Sequence, residues 1–276
     1  MTEGRRSSAL AVGRQARLVL VLASVASLVA FVWPLFIAPA PGTGAGTGHG
    51  TDAPFVFVLV LPVLLAVMMS QLSVGGIDAK ALAMLGVLSA MGAALRPLGA
   101  GTAGIEAVFF LLVLAGRVFG PGFGFVLGST TLFASGLLSG GVGPWLPFQM
   151  LAASWVGLGA GLLPPLRGKA EIVMLMAYCA IASVAYGLLM DLWFWPFVIA
   201  DNSALSYVAG APILENLRRL VLFSFATSLG WDIGRAVTNV LLIGLVGSAV
   251  LATLRRAARR AAFGAPRSFG FSASDG

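Results

Sequence analysis

GIEAVFFLLVLAGRVFGPGFGFVLGSTTLFASGLLSGG, residues 104–141, decides the fold. Beyond Glu106 its only charged residue is Arg117, and Pro121 falls near its middle. A helix that crosses a bilayer needs about 20 mainly apolar residues. Proline suits the first position of a helix, where its missing N–H costs nothing. The stretch therefore reads as two successive helices, 104–119 and 121–140, hinged at Gly120. It lacks the two-residue alternation of an outer-membrane barrel, so helices are the spanning form it can adopt.

The rest of the chain extends the same pattern. Hydrophobic residues make up 59% of its 276 positions and charged residues only 10%, more apolar surface than a soluble domain of this length could bury. Further spans are expected at 17–39, 55–75, 79–95, 145–164, 171–195 and 230–255. The fold class expected is all-α, a polytopic transmembrane bundle of about eight helices. Its parts are an N-terminal region of two helices (1–78), a six-helix core (79–256) and a basic tail (257–276).

Arg5, Arg6, Arg14 and Arg17 precede an apolar run, and Ala38-Pro39-Ala40 faintly resembles a cleavage site. The run is longer than the apolar part of a usual signal peptide, so a retained anchor helix is expected. Pro39 to Pro54 reads as a flexible loop containing GTGAGTGHG and no Lys or Arg.

The net charge of +7 sits at helix ends rather than on one face, which points to membrane topology instead of nucleic acid. With the N-terminus in the cytoplasm, the alternating spans put Arg96, Arg218, Arg219 and Arg235 outside. The other thirteen of the 17 Lys and Arg residues fall inside, as the positive-inside rule requires. Both termini are expected in the cytoplasm. Segment 203–229 places Leu214, Leu217, Leu220 and Val221 beside Glu215, Arg218 and Arg219. Were it a span, the RRAARR run at 255–260 would face outside. It is therefore expected to lie at the interface as an external amphipathic or re-entrant cap.

Small residues form stripes. Ala79, Ala83, Gly86, Ala90 and Ala94 share one face of the helix at 79–95, and Gly116, Gly120, Gly124 and Gly128 recur every fourth residue. Such stripes let helix backbones approach closely. Packing inside the bundle accounts for any single pair, whereas a stripe running the length of one helix suggests a face used by a partner.

Catalytic signatures are missing. Arg167-Gly168-Lys169-Ala170 lacks the upstream Gly and the hydroxyl of a phosphate-binding loop, and there is no HExxH, no GxSxG and no intramembrane carboxylate pair. No catalytic activity, cofactor or metal site is expected. The single His49 and the single Cys179 exclude a His-based metal site and a disulfide framework.

Ionisable groups at membrane depth are costly and so are the default functional candidates. Asp232, Arg235 and Asn239, at i, i+3 and i+7, share a face of the last helix; a local Asp–Arg cap explains the first two as well as a ligand does. Asn239, one turn deeper, favours a ligand. Asp191 lies beside Trp193 and Trp195, where an aromatic belt is the simpler reading. Trp145 and Gln149 lie on the helix at 145–164, and Arg96 and Glu106 flank the loop LRPLGAGTAGIE. These groups all fall on the outer side, whereas the inner side offers scattered basic anchors. An external-facing binding pocket follows.

From about Ala79 onward the chain resembles the substrate-specific (S) component of an energy-coupling factor vitamin transporter. Three stretches carry the resemblance: KALAMLGVLSAMGAALRPLG, the 104–141 segment, and GPWLPFQMLAASWVGLGAGLL, followed by two more spans and a basic tail. Together they cover about two-thirds of the chain. The resemblance implies a six-helix core that captures a vitamin or related small molecule from outside and has no ATPase activity. It also implies partners: a transmembrane coupling protein and two cytoplasmic ATPase subunits, which drive toppling and release. The surface that meets the coupling protein in that family corresponds here to Ala79, Ala83, Gly86, Ala90 and Ala94. The family pocket corresponds to the first core loop and the outer halves of the last three helices. The two N-terminal helices are additional to that core, and the metal-binding histidine motif of the metal-transporting relatives is absent.

Two other readings compete. A stand-alone secondary transporter would want an internal repeat and more buried carboxylates. A membrane enzyme acting on lipid-linked substrates would need a convergent acid–base set.

Overall fold

A computed structural model of the chain describes residues 14–36, 79–99, 104–197, 203–208 and 210–261. The described residues form eight α-helices and no strand. We label them α1 (Arg14–Val32), α2 (Ala79–Leu95), α3 (Val108–Phe119), α4 (Pro121–Ser139), α5 (Leu146–Leu162), α6 (Gly168–Phe194), α7 (Ile213–Thr227) and α8 (Leu229–Ala261). Each of the six spans expected between residues 79 and 256 is matched by one helix, α2 to α6 and α8. The span expected at 55–75, the loop Pro39–Pro54 and the end of the basic tail lie outside the described residues. The eighth described helix is instead α7, within the segment read as a cap.

α3 begins at Val108 rather than at Gly104. Gly104 has a φ of 77°, in the left-handed region that favours glycine. Its backbone also lies against the carbonyl of Trp231, so a side chain would have no room. Gly120 and Pro121 divide α3 from α4 as their chemistry dictates.

Three helices, α4, α6 and α8, are long and apolar enough to cross a membrane, which supports membrane association. α4 is the central one, buried along most of its length. α6 and α8 present large side chains outward, among them Ile181 at 70% and Leu245 at 78% exposure. Apolar surface of that kind suits a lipid solvent.

Successive core helices run antiparallel, so their ends alternate. One end of the bundle gathers the α2–α3, α4–α5, α6–α7 and α7–α8 connections; the other gathers α3–α4 and α5–α6. α4 and α5 make the most extensive pairing. There Gly124 and Gly157 meet backbone to backbone, Gly116 also lies against the Gly157 carbonyl, and the Ser129 and Ser154 hydroxyls bond within the seam. The four-residue glycine spacing thus serves packing inside the bundle. α2 joins α4 through Ser89 and Thr130, whose hydroxyls are 2.6 Å apart. α6 and α8 pair along their whole length, from Gly187 against Asp232 to Glu171 against Arg255. α1 runs beside α6 and reaches α5 through side chains: Phe31 meets Phe148 and Trp155, and the Trp155 indole donates to Ser24 at 3.2 Å.

α7 differs in detail from the sequence expectation. Of Leu214, Leu217, Leu220 and Val221, only Leu220 is buried. The inward edge is Asn216, Leu220 and Ser224. The reason is local: the Asn216 amide exchanges two hydrogen bonds with the backbone of Val208, fixing that edge against the preceding loop. Leu214, Val221 and Phe225 are left exposed.

Candidate functional site

The antiparallel order brings the ends of α2, α3, α5 and α8 together. Arg96 follows α2, Glu106 lies just before α3, Gln149 is in the first turn of α5, and Arg235 is in the second turn of α8. Glu106 is the hub. Its Oε2 accepts from Arg235 Nε at 2.8 Å and its Oε1 from Arg96 Nε at 3.3 Å. Arg96 Nη2 also donates to Gln149 Oε1 at 2.9 Å. One carboxylate therefore joins two guanidinium groups that are 129 and 10 residues away along the chain.

Arg235 is held through two of its three nitrogens and by two rings. Nη1 donates to Asp232 Oδ1 at 2.8 Å and to the Ser183 carbonyl at 3.1 Å. The guanidinium carbon lies 5.0 Å from the Tyr186 ring centroid and 5.7 Å from that of Phe109, within cation–π range. This is a built site: the cation's position is fixed by an acid before it, an acid behind it and two rings beside it.

Asn239 supports the network from beneath. Its Oδ1 accepts from the Phe110 N–H at 2.6 Å, and its Nδ2 donates to the carbonyls of Glu106 and Arg235. It is fully buried and therefore fixes the start of α3 against α8, one turn below the ligand space. Its depth, which in the sequence favoured a ligand, has a structural cause. Asp232 likewise backs Arg235. Asp191 stands apart from the hub, accepting from Ser228 Oγ at 2.6 Å.

Above the hub opens a cavity of about 320 Å³. Arg96, Glu106, Gln149 and Arg235 form its polar wall, Ser135 and Ser139 contribute hydroxyls, and Trp145 and Trp231 line its apolar side. Of the eight binding residues expected from the sequence, five line the cavity: Arg96, Glu106, Trp145, Gln149 and Arg235. Asp232, Asn239 and Asp191 do not. Trp231, Ser135, Ser139 and Tyr186 belong to the site and escaped sequence reading. The signals were weak but present: Ser135 and Ser139 fall at i, i+4 in the last turn of α4, and Trp231 precedes Asp232 by one residue.

The opposite end of the bundle also corrects the sequence reading, which saw only scattered basic anchors there. Arg117, on α3, and Arg255, on α8, converge on Glu171, in the first turn of α6. Arg117 Nε lies 2.7 Å from Glu171 Oε1, and Arg255 Nη2 lies 2.7 and 2.8 Å from its two oxygens. Arg117 further donates to the carbonyls of Leu163 and Leu166 at 2.8 and 3.3 Å. Arg117 and Glu171 are buried, so this network pins α3, the α5–α6 connection, α6 and α8 together. The missed signal was Glu171, an acid entering an apolar run.

On α2 the stripe Ala79, Ala83, Gly86, Ala90 and Ala94 is exposed along its full length, while Ala81, Leu85, Leu88, Ser89, Gly92 and Ala93 face inward. Among the described residues nothing lies within 4 Å of the position a Gly86 side chain would take.

Compared with known proteins, the chain matches no family model, no curated protein and no solved structure. The resemblance to S components thus rests on the motifs quoted above. The geometry of the site is independent of it.

Proposed function

We propose that this protein is a multi-pass membrane subunit that captures a small molecule, the substrate-binding component of an energy-coupling factor importer. The cavity walled by Arg96, Glu106, Gln149 and Arg235 is the observation that carries the reading. Charged groups held largely out of water are costly, and in a membrane protein they are the default candidates for function. A concave space with a few convergent polar groups beside aromatic walls is the usual form of a small-molecule site. Three long apolar helices support a membrane location. The thirteen-to-four division of basic residues supports termini in the cytoplasm and a cavity that opens to the outside. The exposed small-residue face of α2 supports docking of a transmembrane coupling protein, with two ATPase subunits beneath it supplying the energy.

Purification in mild detergent, followed by mass spectrometry of the small molecules released on denaturation, tests this. The expected result is one ligand near stoichiometric amounts in the native chain. Replacing Trp145 and Trp231 together with Ala is expected to reduce its occupancy about tenfold or more, because each ring contributes on the order of 1 kcal/mol or more of contact. Co-purification of a coupling protein and ATPases supports the importer reading. Gradient-driven uptake by liposomes containing this chain alone would replace it with a secondary transporter.

A further inference from the structure

We infer that the captured molecule is an anion, a one- or two-ring aromatic acid whose carboxylate docks on Arg96 and Arg235. This deepens the capture reading above and rests on it. The inference follows from which hydrogen-bonding groups of the wall are committed.

Arg96 uses Nε on Glu106 and Nη2 on Gln149, and its Nη1 has no acceptor among the described residues. Arg235 uses Nε on Glu106 and Nη1 on Asp232 and Ser183, which leaves Nη2. Gln149 accepts through its oxygen, which leaves the two N–H bonds of its amide nitrogen. The acceptors of the charged wall are engaged: the Glu106 oxygens take Arg96 and Arg235, and the Gln149 oxygen takes Arg96 as well, while the Ser135 and Ser139 hydroxyls can either donate or accept. Trp145 commits its indole N–H to the Gly141 carbonyl at 3.2 Å, so its ring offers apolar surface. The cavity therefore presents a surplus of donors on two arginines, whose charges are offset by Glu106 in the wall and Asp232 behind it. Both arginines keep partial access to it, at 21% and 13% side-chain exposure.

A carboxylate satisfies that surplus, since it accepts from several donors and is bound more strongly by charged ones. A neutral amide offers one acceptor, and a cation offers none. The two Nε atoms bond the two oxygens of one Glu106 carboxylate, so both guanidinium groups border the same cavity. Trp145 and Trp231 supply the flat apolar wall for a ring. A cavity of about 320 Å³ holds a one- or two-ring group.

The test uses the full-length chain purified in detergent and isothermal titration with matched acid and amide probes: benzoate and benzamide, nicotinate and nicotinamide, indole-3-acetate and indole-3-acetamide. The small molecule that co-purifies is identified alongside. Expected is an acid that binds at least ~10-fold tighter than its amide, the difference that one charge-assisted contact makes. Arg96→Gln should remove that preference. Glu106→Gln, which removes a negative charge beside both guanidinium groups, should widen the acid-over-amide ratio even where it lowers overall affinity; gel filtration checks that each variant stays folded. Amides that bind as tightly as acids, a co-purified molecule without an acidic group, or a narrower acid-over-amide ratio in Glu106→Gln would overturn the anion inference and leave the capture site standing. Absence of both probe binding and any co-purified molecule would overturn the capture reading itself, and this inference with it.

Discussion

Glu171→Leu is expected to destabilise the protein by about 3–5 kcal/mol, the usual cost of removing one partner from a buried ion pair. The change leaves the buried Arg117 guanidinium with only the carbonyls of Leu163 and Leu166. Arg255 adds little to the loss, because its side chain is 42% exposed and can turn to water. The double variant Arg117→Met/Glu171→Leu removes both buried charges and fills their space with apolar groups. Most of the stability should return, since a buried ion pair and an apolar pair of similar volume are often comparable. Thermal unfolding in detergent, followed by gel filtration, measures both. A single variant as stable as the native chain, or a double variant less stable than the single, would refute the network's structural role. The network lies at the far end from the cavity, so ligand binding to the folded double variant should persist.

Gly157→Val is expected to be nearly as damaging, at about 3 kcal/mol or more, the upper range for over-packing. A side chain at Gly157 meets the Gly124 carbonyl, and one at Gly124 meets the Gly157 carbonyl. Neither obstacle is a rotamer that can swing aside; both are backbone within helices. α4 and α5 would have to separate, breaking the Ser129–Ser154 bond and moving the helices that carry Ser135, Trp145 and Gln149. The variant should therefore lose both melting temperature and ligand affinity. Gly86→Val, on the exposed face of α2, is the control and should leave both unchanged. An unaffected Gly157→Val would show that α4 and α5 do not approach as closely as described.

The helices were legible because length and apolar content decide them locally. The break at Gly120-Pro121 could be read for the same reason, since proline and glycine act on their own backbone. The gathering of Arg96, Glu106, Gln149 and Arg235 at one end was also legible, because alternation of spans fixes which helix ends are neighbours. Partner choice was not. Nothing in the spacing of Asp232, Arg235 and Asn239 says that Arg235 reaches past Asp232 to Glu106, or that Asn239 ties down Phe110. Those contacts depend on the rotation of α8 against α3, set by side-chain packing along both helices. Glu171 was missed for a related reason: Arg117 and Arg255 each look like an anchor until α6 places an acid between them.

Accessibility from the two faces of the membrane is the measurement on which the account depends. The one native cysteine, Cys179, is buried and gives a silent background. Ser139→Cys places a thiol in the cavity wall, and Arg256→Cys places one on the exposed basic end of α8. The account predicts that a membrane-impermeant maleimide applied to intact cells labels Ser139→Cys, that bound ligand protects it, and that Arg256→Cys reacts only after permeabilisation. Labelling of Arg256→Cys in intact cells with Ser139→Cys silent would invert the molecule in the membrane and contradict capture from outside.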